Sequence, residues 1–389
     1  MSGASVFFYV QHLLGIGHLR RAATLARALS HGGLDVTLAS GGMAIPVEEL
    51  GGAQLVQLPA VRATDMSFKQ LVDADGRPVD EAWRDRRRDA LLAAWRQAAP
   101  AMLLFELFPF GRWGMRFELL PLLEAARQAQ PRPLVVASVR DILVAKTKPE
   151  RYDQMVDLAA EHFDQVLVHG DPALISFYDT LPQARRIEER IHYTGYVVDE
   201  SGRRGGPGQD GFDEILVSAG GGRVGQHLLE CAIRARALSC LKDRTWRVLA
   251  GYHLDEAGLT ALRNLAPVGV VVERARADFP SLLMNCTLSI SQAGYNTIME
   301  ALRAGCRIVA SPYAGQEETE QTRRAELLAA KGALEIVPEE SLTPESLAAA
   351  VDRAMAGPAP AAAGIRTDGA ATSLSLISDW LTASRARPA

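Results

Sequence analysis

A strand–helix–strand pattern between residues 286 and 310 most strongly constrains the fold of this chain. The apolar run Cys286–Ile290 is too short for a helix and rich in strand formers, and Gly294 ends it. Thr297–Ala304 has apolar residues at helical spacing, and Gly305 follows as a helix-ending residue. Arg307–Ala310 is then a second strand. Such a unit predicts an open parallel sheet, which binds ligands at the carboxyl ends of its strands.

The rest of the chain repeats this alternation of short apolar runs and helical segments, so we predict an α/β fold of Rossmann-like, doubly wound domains. With 389 residues the chain is long enough for two domains. The Gly-rich, polar segment 199–211 reads as a linker. The predicted divisions are an N-terminal acceptor-binding domain (1–198), the linker, a C-terminal donor-binding domain (212–372), and a final helix and tail (373–389).

The residues around the 286–310 unit suit a nucleotide ligand. Gly294 allows close approach of a ligand to a helix N-terminus, where free N–H groups attract phosphate. Glu300 is a carboxylate able to accept two hydrogen bonds from a ribose diol. Glu320 and Gln321 follow the second strand, where sugar hydroxyls would lie. The same residues also suit an ordinary strand–helix–strand unit in which Glu300 is a solvated helix residue.

This pattern of Gly294, Thr297, Glu300, Gly305 and Glu320-Gln321 resembles the donor-binding region of the MurG-type (family 28) N-acetylglucosaminyltransferases. The resemblance implies the GT-B fold, in which two domains face each other across a cleft and a C-terminal helix crosses back to the first domain. It implies that Glu300 holds the ribose and that the Glu320-Gln321 pair, a Gln-Gln pair in the family, holds the donor sugar. The donor-binding residues predicted in this region are Gly294, Tyr295, Asn296, Thr297, Glu300, Glu320 and Gln321.

A polar, Gly-rich turn, Gly15-Ile16-Gly17-His18, follows the first predicted strand, Val6–Val10, and precedes a helix predicted at Arg20–Leu29. Arg20 stands where a dinucleotide fingerprint has its third Gly, so the NAD signal is weak. The loop resembles the G-x-G-H-x-x-R loop of several GT-B enzymes and of related UDP-sugar hydrolases. That resemblance implies that His18 is the catalytic base and that Gly17 lies near the ligand. A lone histidine is otherwise more often structural.

A second Gly-rich turn, Gly220-Gly221-Gly222-Arg223, follows the strand Glu214–Ser218. Gly220, Gly222 and Gly225 fit the pattern G-x-G-x-x-G. The next strand, Trp246–Ala250, however, lacks the acidic residue that a dehydrogenase needs to hold the ribose. We therefore predict that the turn binds a diphosphate. In the family, the nucleotide base lies after the next strand, predicted here at Val268–Val272, which makes the backbone of Arg274 and Ala275 candidates for reading the base.

Other carboxylates end predicted strands of the first domain. Glu106 ends one strand, and Asp141 and Asp171 follow two others. Glu106 and Asp141 are the reserve candidates for a catalytic base, whereas helix capping is the alternative role for the aspartates.

Two further segments of the first domain are candidates for contact with the acceptor. Thr64–Val79 reads as a long polar loop, and the helix Trp83–Ala99 contains a run of arginines, Arg84 to Arg88. The run is expected to be a solvated face, with an anionic acceptor or a peripheral membrane contact as the alternative.

Bulk composition limits the partners. The net charge is −4, so no basic field for nucleic acid is expected. The four cysteines have no C-x-x-C spacing and read as core residues in a reducing compartment. No apolar run spans a bilayer and no signal peptide is evident, so a cytoplasmic location is predicted.

The predicted function is transfer of a sugar from a nucleotide-sugar co-substrate, UDP-linked, to a small-molecule or lipid-linked acceptor, with UDP as a product and inversion at the sugar. No D-x-D carboxylate pair stands at the end of a predicted strand, so neither a metal nor another cofactor is expected. A nucleotide-sugar hydrolase or epimerase on the same fold is the alternative. A non-enzymatic nucleotide-binding module is disfavoured by His18 and Glu300 occurring together.

Overall fold

A computed structural model describes residues 3–44, 50–64, 70–143, 149–219, 225–252, 254–315, 319–358 and 364–385. Its strands and helices alternate along the chain and are numbered here in chain order. The strands are β1 Ser5–Val10, β2 Asp35–Ser40, β3 Gln54–Gln57, β4 Val61–Ala63, β5 Leu71–Asp73, β6 Met102–Glu106, β7 Leu134–Arg140, β8 Gln165–His169, β9 Ile191–Tyr193, β10 Ile215–Ser218, β11 Trp246–Ala250, β12 Val270–Arg274, β13 Leu288–Ser291, β14 Arg307–Ala310 and β15 Glu335–Ile336. The α-helices are α1 Gly17–His31, α2 Glu81–Ala98, α3 Arg116–Gln128, α4 Glu150–His162, α5 Gln226–Ala235, α6 Glu256–Leu265, α7 Phe279–Asn285, α8 Tyr295–Ala304, α9 Glu320–Ala330, α10 Pro344–Ala356 and α11 Gly369–Arg385. Short 3-10 helices cover Trp113–Met115, Phe177–Asp179, Pro182–Arg190, Arg236–Leu238 and Glu339–Ser341.

The chain divides into two compact units, Met1–Val197 with Asp368–Ala389, and Val198–Thr367. The segment predicted as a linker, 199–211, has no helix or strand and belongs to the second unit, where the amide of Gly205 donates to Asn285 Oδ1 (2.6 Å) at the end of α7.

The first unit is built on a parallel sheet with the strand order β3-β2-β1-β6-β7-β8-β9. Its strands are apolar on both faces because helices cover both. On β1, Phe7 and Tyr9 face one core cluster, whereas Val6, Phe8 and Val10 face the other. The strand order reverses between β1 and β6, which places the ends of these strands at the point where open parallel sheets bind ligands.

The last helix, α11, belongs to this first unit although it follows the second in sequence. It packs on α1 and contributes the buried residues Ile377 and Leu381 to the same core. This return of the C-terminal helix to the first domain confirms that part of the predicted GT-B fold.

The second unit is built on a parallel sheet with the strand order β12-β11-β10-β13-β14-β15. Its order reverses between β10 and β13. The strands β13 and β14 flank α8, as the opening pattern predicts, and Gly305 ends α8 with a left-handed φ of +75°. The α/β class and the parallel, doubly wound sheets are therefore confirmed.

Two local predictions were wrong. The predicted loop Thr64–Val79 contains β5, which pairs antiparallel with β4, while residues 65–69 of that loop lie outside the described chain. The strand predicted at Val268–Val272 runs instead from Val270 to Arg274. A turn at Pro267–Gly269 displaces it, since Gly269 is left-handed (φ +89°) and the amide of Val270 donates to the Pro267 carbonyl (3.0 Å).

The arginine run on α2 is not a uniformly solvated face. Arg84 is exposed, Arg88 is half-buried, and they pair with nearby carboxylates of the same helix, Glu81 and Asp85. Arg87 is fully buried and pairs with the equally buried Glu118 of α3 (2.7 Å). One arginine of the run is therefore part of the core.

Candidate active site

His18 and Glu106 meet at the carboxyl edge of the first sheet. His18 lies in the first turn of α1, which follows β1, and Glu106 is the last residue of β6, the neighbour of β1 in the sheet. His18 Nδ1 lies 2.8 Å from Glu106 Oε1. The predicted helix start at Arg20 was wrong: α1 begins at Gly17, which places His18 on the helix.

The loop before His18 is open to solvent. Gly15 and Gly17 are exposed, and a Cβ added at Gly15 would meet nothing within 4 Å. The His18 side chain itself is 12% exposed. The ring is therefore mostly buried but keeps some contact with solvent, and Glu106 lies at its Nδ1.

The pKa values in this pair fix its charge at neutral pH. Burial lowers the pKa of His18 to about 3, with further lowering by the positive charges of Arg112 and Arg140. Burial acts to raise the pKa of Glu106, but the charge of Arg21 and the hydrogen bond with His18 outweigh it and hold that pKa below its ordinary value. A neutral imidazole beside a carboxylate carries its proton on Nδ1, donated to Glu106, so that Nε2 presents a lone pair. His18 thus has the protonation state of a general base.

Glu106 is held by a buried hydrogen-bond network. Arg21 pairs with Oε1, and Ser138 Oγ lies 2.8 Å from Oε2. Ser138 also contacts His169 Nε2 (2.8 Å), and His169 Nδ1 lies 2.9 Å from Thr194 Oγ1. Burial lowers the pKa of His169 to about 3, assisted by the charge of Arg21. The network fixes the carboxylate, and through it the ring of His18.

Sequence reasoning missed Arg21, Ser138 and Thr194 as parts of this site. A usable signal was present, because Ser138 and His169 are polar residues near the carboxyl ends of otherwise apolar strands. Their strands are neighbours in register: Glu106 pairs with Ser138, and Arg140 pairs with His169. Strand order, which the sequence does not state, is what brings them together.

Two further arginines surround His18. Arg140, the last residue of β7, places Nη2 3.1 Å from His18 Nε2. Arg112, in the turn after β6, has a left-handed backbone (φ +59°) and donates from Nε to the carbonyl of Gln11 (2.7 Å) at the end of β1. Both are half-buried. Together they make this edge electropositive.

Asp141 does not join His18. Its carboxylate is fully buried and accepts hydrogen bonds from the Tyr196 hydroxyl and from the amide of Ile142 (2.9 Å). The contacts of Asp141 bind the turn after β7 to the chain after β9. These contacts engage the Asp141 carboxylate with groups other than His18, and its reserve role as a base stays a prediction; Glu106 is the carboxylate that contacts His18.

In the second unit, the start of α8 has the predicted form. Gly294 is its N-cap, with no side-chain cap on the helix amides among the described residues, and it follows the end of β13, where the sheet order reverses. The amides of Tyr295, Asn296 and Thr297 make up the first turn. The N-terminus of a helix, with its dipole, is a position that favours an anion.

The Gly-rich turn Gly220–Gly222 with Arg223 lies outside the described residues. Next to it, Gly225 begins α5 with φ +123°, and a Cβ there would lie 2.4 Å from the Cβ of Ala219. Only glycine fits this approach. Gly225 therefore lies tight against Ala219, the residue that follows β10.

Glu300 and the Glu320-Gln321 pair lie on different helices. Glu300 is half-buried on α8, five residues after its start. Glu320 begins α9, is 3% exposed and pairs with the fully buried Arg324 (2.8 Å). Gln321 Oε1 accepts from the amide of Tyr313 (3.2 Å). The Glu320 carboxylate is thus engaged within its own helix, which leaves the amide group of Gln321 as the better donor to a sugar hydroxyl.

Arg274 and Ala275 have defined partners at the end of β12. The Arg274 guanidinium contacts the carbonyls of Gly251 and Leu254 and the Glu256 carboxylate. The amide of Ala275 donates to the Ala250 carbonyl (2.8 Å). Because that amide is used inside the sheet, it is not available to a nucleotide base, which corrects the predicted role of this N–H group.

Within the described ranges, no cluster of His, Cys, Asp and Glu has the form of a metal site, and no helix is both long and apolar enough to cross a membrane. All four cysteines are free thiols. Cys240 is exposed, so the prediction that all four are core residues was wrong for it.

Comparison with known proteins finds a family model that matches most of the second unit. Residues 220–374 match the family model described as the glycosyltransferase family 28 C-terminal domain. Over 85 residues the chain is 36% identical to UDP-N-acetylglucosamine--N-acetylmuramyl-(pentapeptide) pyrophosphoryl-undecaprenol N-acetylglucosamine transferase of Rhodospirillum centenum. That match spans 22% of this chain and 22% of the relative.

Solved structures agree on the fold along the whole chain. The calicheamicin glycosyltransferase CalG4 is 18% identical, with a TM-score of 0.63 and 100% of both chains covered. A putative UDP-N-acetylglucosamine 2-epimerase from Listeria monocytogenes is 13% identical, with a TM-score of 0.64, covering 100% of this chain and 98% of that one. At such identities the likeness is one of fold. The predicted resemblance to the family 28 glycosyltransferases is confirmed: the chain has the GT-B fold, and its residues 220–374 match the model of the glycosyltransferase family 28 C-terminal domain.

Proposed function

We propose that this protein is a glycosyltransferase that moves a sugar from a UDP-linked donor to an acceptor nucleophile, with His18 as the catalytic base. The observation that carries the proposal is the neutral His18, held by Glu106 at the reversal point of its sheet, in a chain that also contains a family 28 glycosyltransferase domain. The domain match supports sugar transfer, and the histidine supplies the group that activates an acceptor.

The proposed reaction is a single displacement. The acceptor oxygen forms a bond to the anomeric carbon of the donor while its proton passes to His18 Nε2. The bond between the anomeric carbon and the diphosphate breaks, and the diphosphate leaves with the electron pair. Attack opposite the leaving group inverts the anomeric centre. Glu106 orients the ring and stabilises the imidazolium that forms.

The donor is assigned to the second unit. The amides of Tyr295, Asn296 and Thr297, in the first turn of α8, are assigned to stabilise the charge of the leaving diphosphate without a metal ion. Glu300, farther along α8, is assigned to the ribose hydroxyls, and Gln321 to the donor sugar. These donor assignments follow the family resemblance and the positions of the residues on α8 and α9.

A screen of nucleoside diphosphates by thermal shift tests the donor class. A ligand that binds only the folded state raises Tm with concentration. We expect UDP to raise Tm more than TDP, GDP or ADP at equal concentration. Stabilisation by ADP or GDP alone would refute the UDP assignment, and stabilisation by none of the four would refute the nucleotide-sugar donor.

A nucleotide-sugar hydrolase or epimerase is the second candidate, favoured by one observation: a base such as His18 can activate water as readily as an alcohol. The two are separated by measuring UDP release from a UDP-sugar with and without a mixture of candidate acceptors. A transferase releases UDP faster when an acceptor is present and yields a glycosylated product. Release at one rate under both conditions, with free or epimerised sugar as product, identifies the second candidate.

A further inference from the structure

A chain of buried polar side chains crosses the first sheet behind His18. It runs from Glu106 at the end of β6, through Ser138 on β7 and His169 at the end of β8, to Thr194, which follows β9. The Ser138 hydroxyl lies 2.8 Å from Glu106 Oε2 and 2.8 Å from His169 Nε2. His169 Nδ1 lies 2.9 Å from the Thr194 hydroxyl. All four residues are buried, so their polar groups must satisfy one another.

The charge of Glu106 sets the direction of the first hydrogen bond. Burial alone would raise the pKa of Glu106, but the charge of Arg21 and the hydrogen bond with His18 outweigh that effect and keep it ionised. A carboxylate can only accept hydrogen bonds, whereas Ser138 has one proton and two neighbours that could take it. A hydrogen bond to an ionised oxygen is about twice as strong as one between neutral groups. Ser138 therefore donates to Glu106 and not to the ring of His169.

The remaining bonds follow from the first. Because the Ser138 proton lies toward Glu106, the Ser138 oxygen accepts from His169 Nε2, which carries the hydrogen of that ring. Burial lowers the pKa of His169 to about 3, so the ring is neutral and its Nδ1 has a lone pair. The Thr194 hydroxyl is then the donor to Nδ1.

The opposite direction is open to the Thr194 hydroxyl, which also lies 2.7 Å from the carbonyl of Gly195. In that arrangement Thr194 donates to the carbonyl and accepts from His169 Nδ1, and Ser138 donates to His169 Nε2. Glu106 Oε2 would then face a lone pair of the hydroxyl at 2.8 Å, with no proton between them. A buried charged oxygen without its donor costs more than a carbonyl that lacks one, which favours the first direction.

We propose that Ser138 and His169 are positioning residues that act on the base through Glu106. Their hydrogen bonds run one way, from the Thr194 hydroxyl to Glu106 Oε2, and hold that oxygen in place. Oε1 then stays aligned on His18 Nδ1, so that the ring keeps its proton there and its lone pair at Nε2. The role of the chain rests on the proposed glycosyltransferase function, whereas the tautomer of His169 is a property of the folded protein itself.

The tautomer of His169 tests the direction of the chain without any activity measurement. In protein labelled with ¹⁵N-histidine, nitrogen NMR at neutral pH separates a ring nitrogen that carries a proton from one that does not. We expect the signals of His169, assigned by their loss in His169→Gln, to show a protonated Nε2 and an unprotonated Nδ1. A proton on Nδ1 would overturn the proposal. The tautomer is read in the wild-type chain, so this test does not depend on the folding of a variant.

Kinetics test the positioning role. Ser138→Ala should lower kcat at least about tenfold, the loss expected for a charge-assisted hydrogen bond, while KM for the UDP-sugar and the Kd of UDP stay unchanged. His169→Gln keeps an amide donor and should retain more of kcat than His169→Leu, which has none. Ser373→Ala is the matched control, because it removes another buried hydroxyl of the same unit, one that donates to the carbonyl of Gly369 (2.6 Å). It should turn over as wild type.

Three kinetic results would overturn the positioning role: an unchanged kcat in Ser138→Ala, equal losses in Ser138→Ala and Ser373→Ala, or equal kcat in the two His169 variants. Absence of transfer from every nucleotide sugar tested would refute the proposed function instead. The NMR result on His169 would stand in that case, so the two failures are distinguishable.

Discussion

At the scale of single residues, the chemistry of His18 depends on what lies at each ring nitrogen. Glu106 accepts from Nδ1 and leaves Nε2 as the basic atom, while burial keeps the ring neutral at physiological pH. A histidine with only a structural role would gain little from a buried carboxylate that is itself fixed by Arg21 and Ser138. The arrangement therefore points to a base whose orientation matters.

His18→Ala and His18→Asn should lower turnover by about two to four orders of magnitude, because a positioned base contributes that much. Nucleotide binding should be nearly unchanged, since His18 is placed with the acceptor in our proposal. The measurements are kcat with a UDP-sugar and the Kd of UDP. Near-normal turnover in both variants would exclude His18 as the base.

A second residue-scale prediction concerns Arg87. Its guanidinium contacts Glu118, the Gln11 side chain (2.8 Å) and the Gly41 carbonyl (2.9 Å), all in the core beneath β1. Arg87→Met should lower the free energy of unfolding by about 3–5 kcal/mol, because the Glu118 charge is left buried without its partner. Urea unfolding measures the change. Arg86→Met, one residue earlier on the same helix and exposed, should alter stability by less than about 0.5 kcal/mol; equal effects of the two would contradict the core assignment of Arg87.

At the scale of elements, α8 is the helix on which the donor proposal depends. A carboxylate that holds ribose hydroxyls binds equally in the ground state and the transition state, so its loss raises KM more than it lowers kcat. Glu300→Ala should weaken donor binding at least about tenfold, and Glu300→Gln should be intermediate.

The control for Glu300 is Glu326→Ala, an exposed carboxylate on α9, which should have no effect on donor KM. The loss at Glu300 should vanish for a donor with 2′,3′-dideoxyribose, because the partner hydroxyls are already absent. Unchanged UDP affinity in Glu300→Ala would return Glu300 to the role of a solvated helix residue.

The start of α8 also predicts how the enzyme responds to chelators. If backbone amides stabilise the leaving diphosphate, transfer should proceed at an undiminished rate in EDTA. The measurement is kcat with and without the chelator, and with added magnesium or manganese as the comparison. An absolute requirement for either metal would transfer this role from the helix to a metal ion.

The elements that the sequence predicted well are those whose pattern is local. Trp246–Ala250 and Arg307–Ala310 were predicted with their observed bounds, because apolar runs flanked by Gly or polar residues suffice to define buried strands. The sequence of a strand does not indicate which other strand it pairs with. The strand β5 was therefore missed, and the contact of Ser138 with Glu106 depends on β6 and β7 being neighbours. Arg87 was assigned to the surface because its acidic partner, Glu118, is 31 residues away.

At the scale of the whole molecule, each unit has its own parallel sheet with its own reversal point. His18 and the arginines around it belong to the first unit, and most of the residues that match the family 28 model belong to the second. Each half of the proposed reaction therefore depends on groups that fold together: His18, Glu106 and the arginines in one unit, and α8 and α9 in the other. His18 and Glu106 hold their geometry only while the first unit is folded, so the proposed activity depends on the stability of that unit.

That stability should depend on pH in a direction fixed by the buried histidines. The pKa values of His18 and His169 are lowered from 6.5 to about 3 by burial, so below pH 6.5 the unfolded chain binds protons that the folded chain does not. Stability is therefore complete above about pH 6.5 and falls as the pH drops toward 3, by about 1.4 kcal/mol per pH unit for each histidine. The lowered pKa of Glu106 acts in the same direction at lower pH.

Urea unfolding at pH 7, 6 and 5 measures this slope. His169→Gln should be less stable than wild type at pH 7, because it loses contacts with Ser138 and Thr194, but it should lose less stability per pH unit, because one buried histidine is gone. A His18→Gln, His169→Gln double variant should reduce the slope further. If the wild type and the double variant lose stability equally between pH 7 and 5, these two histidines are not the groups that resist protonation in the folded state, and the neutral imidazole on which the proposed base depends would have to be abandoned.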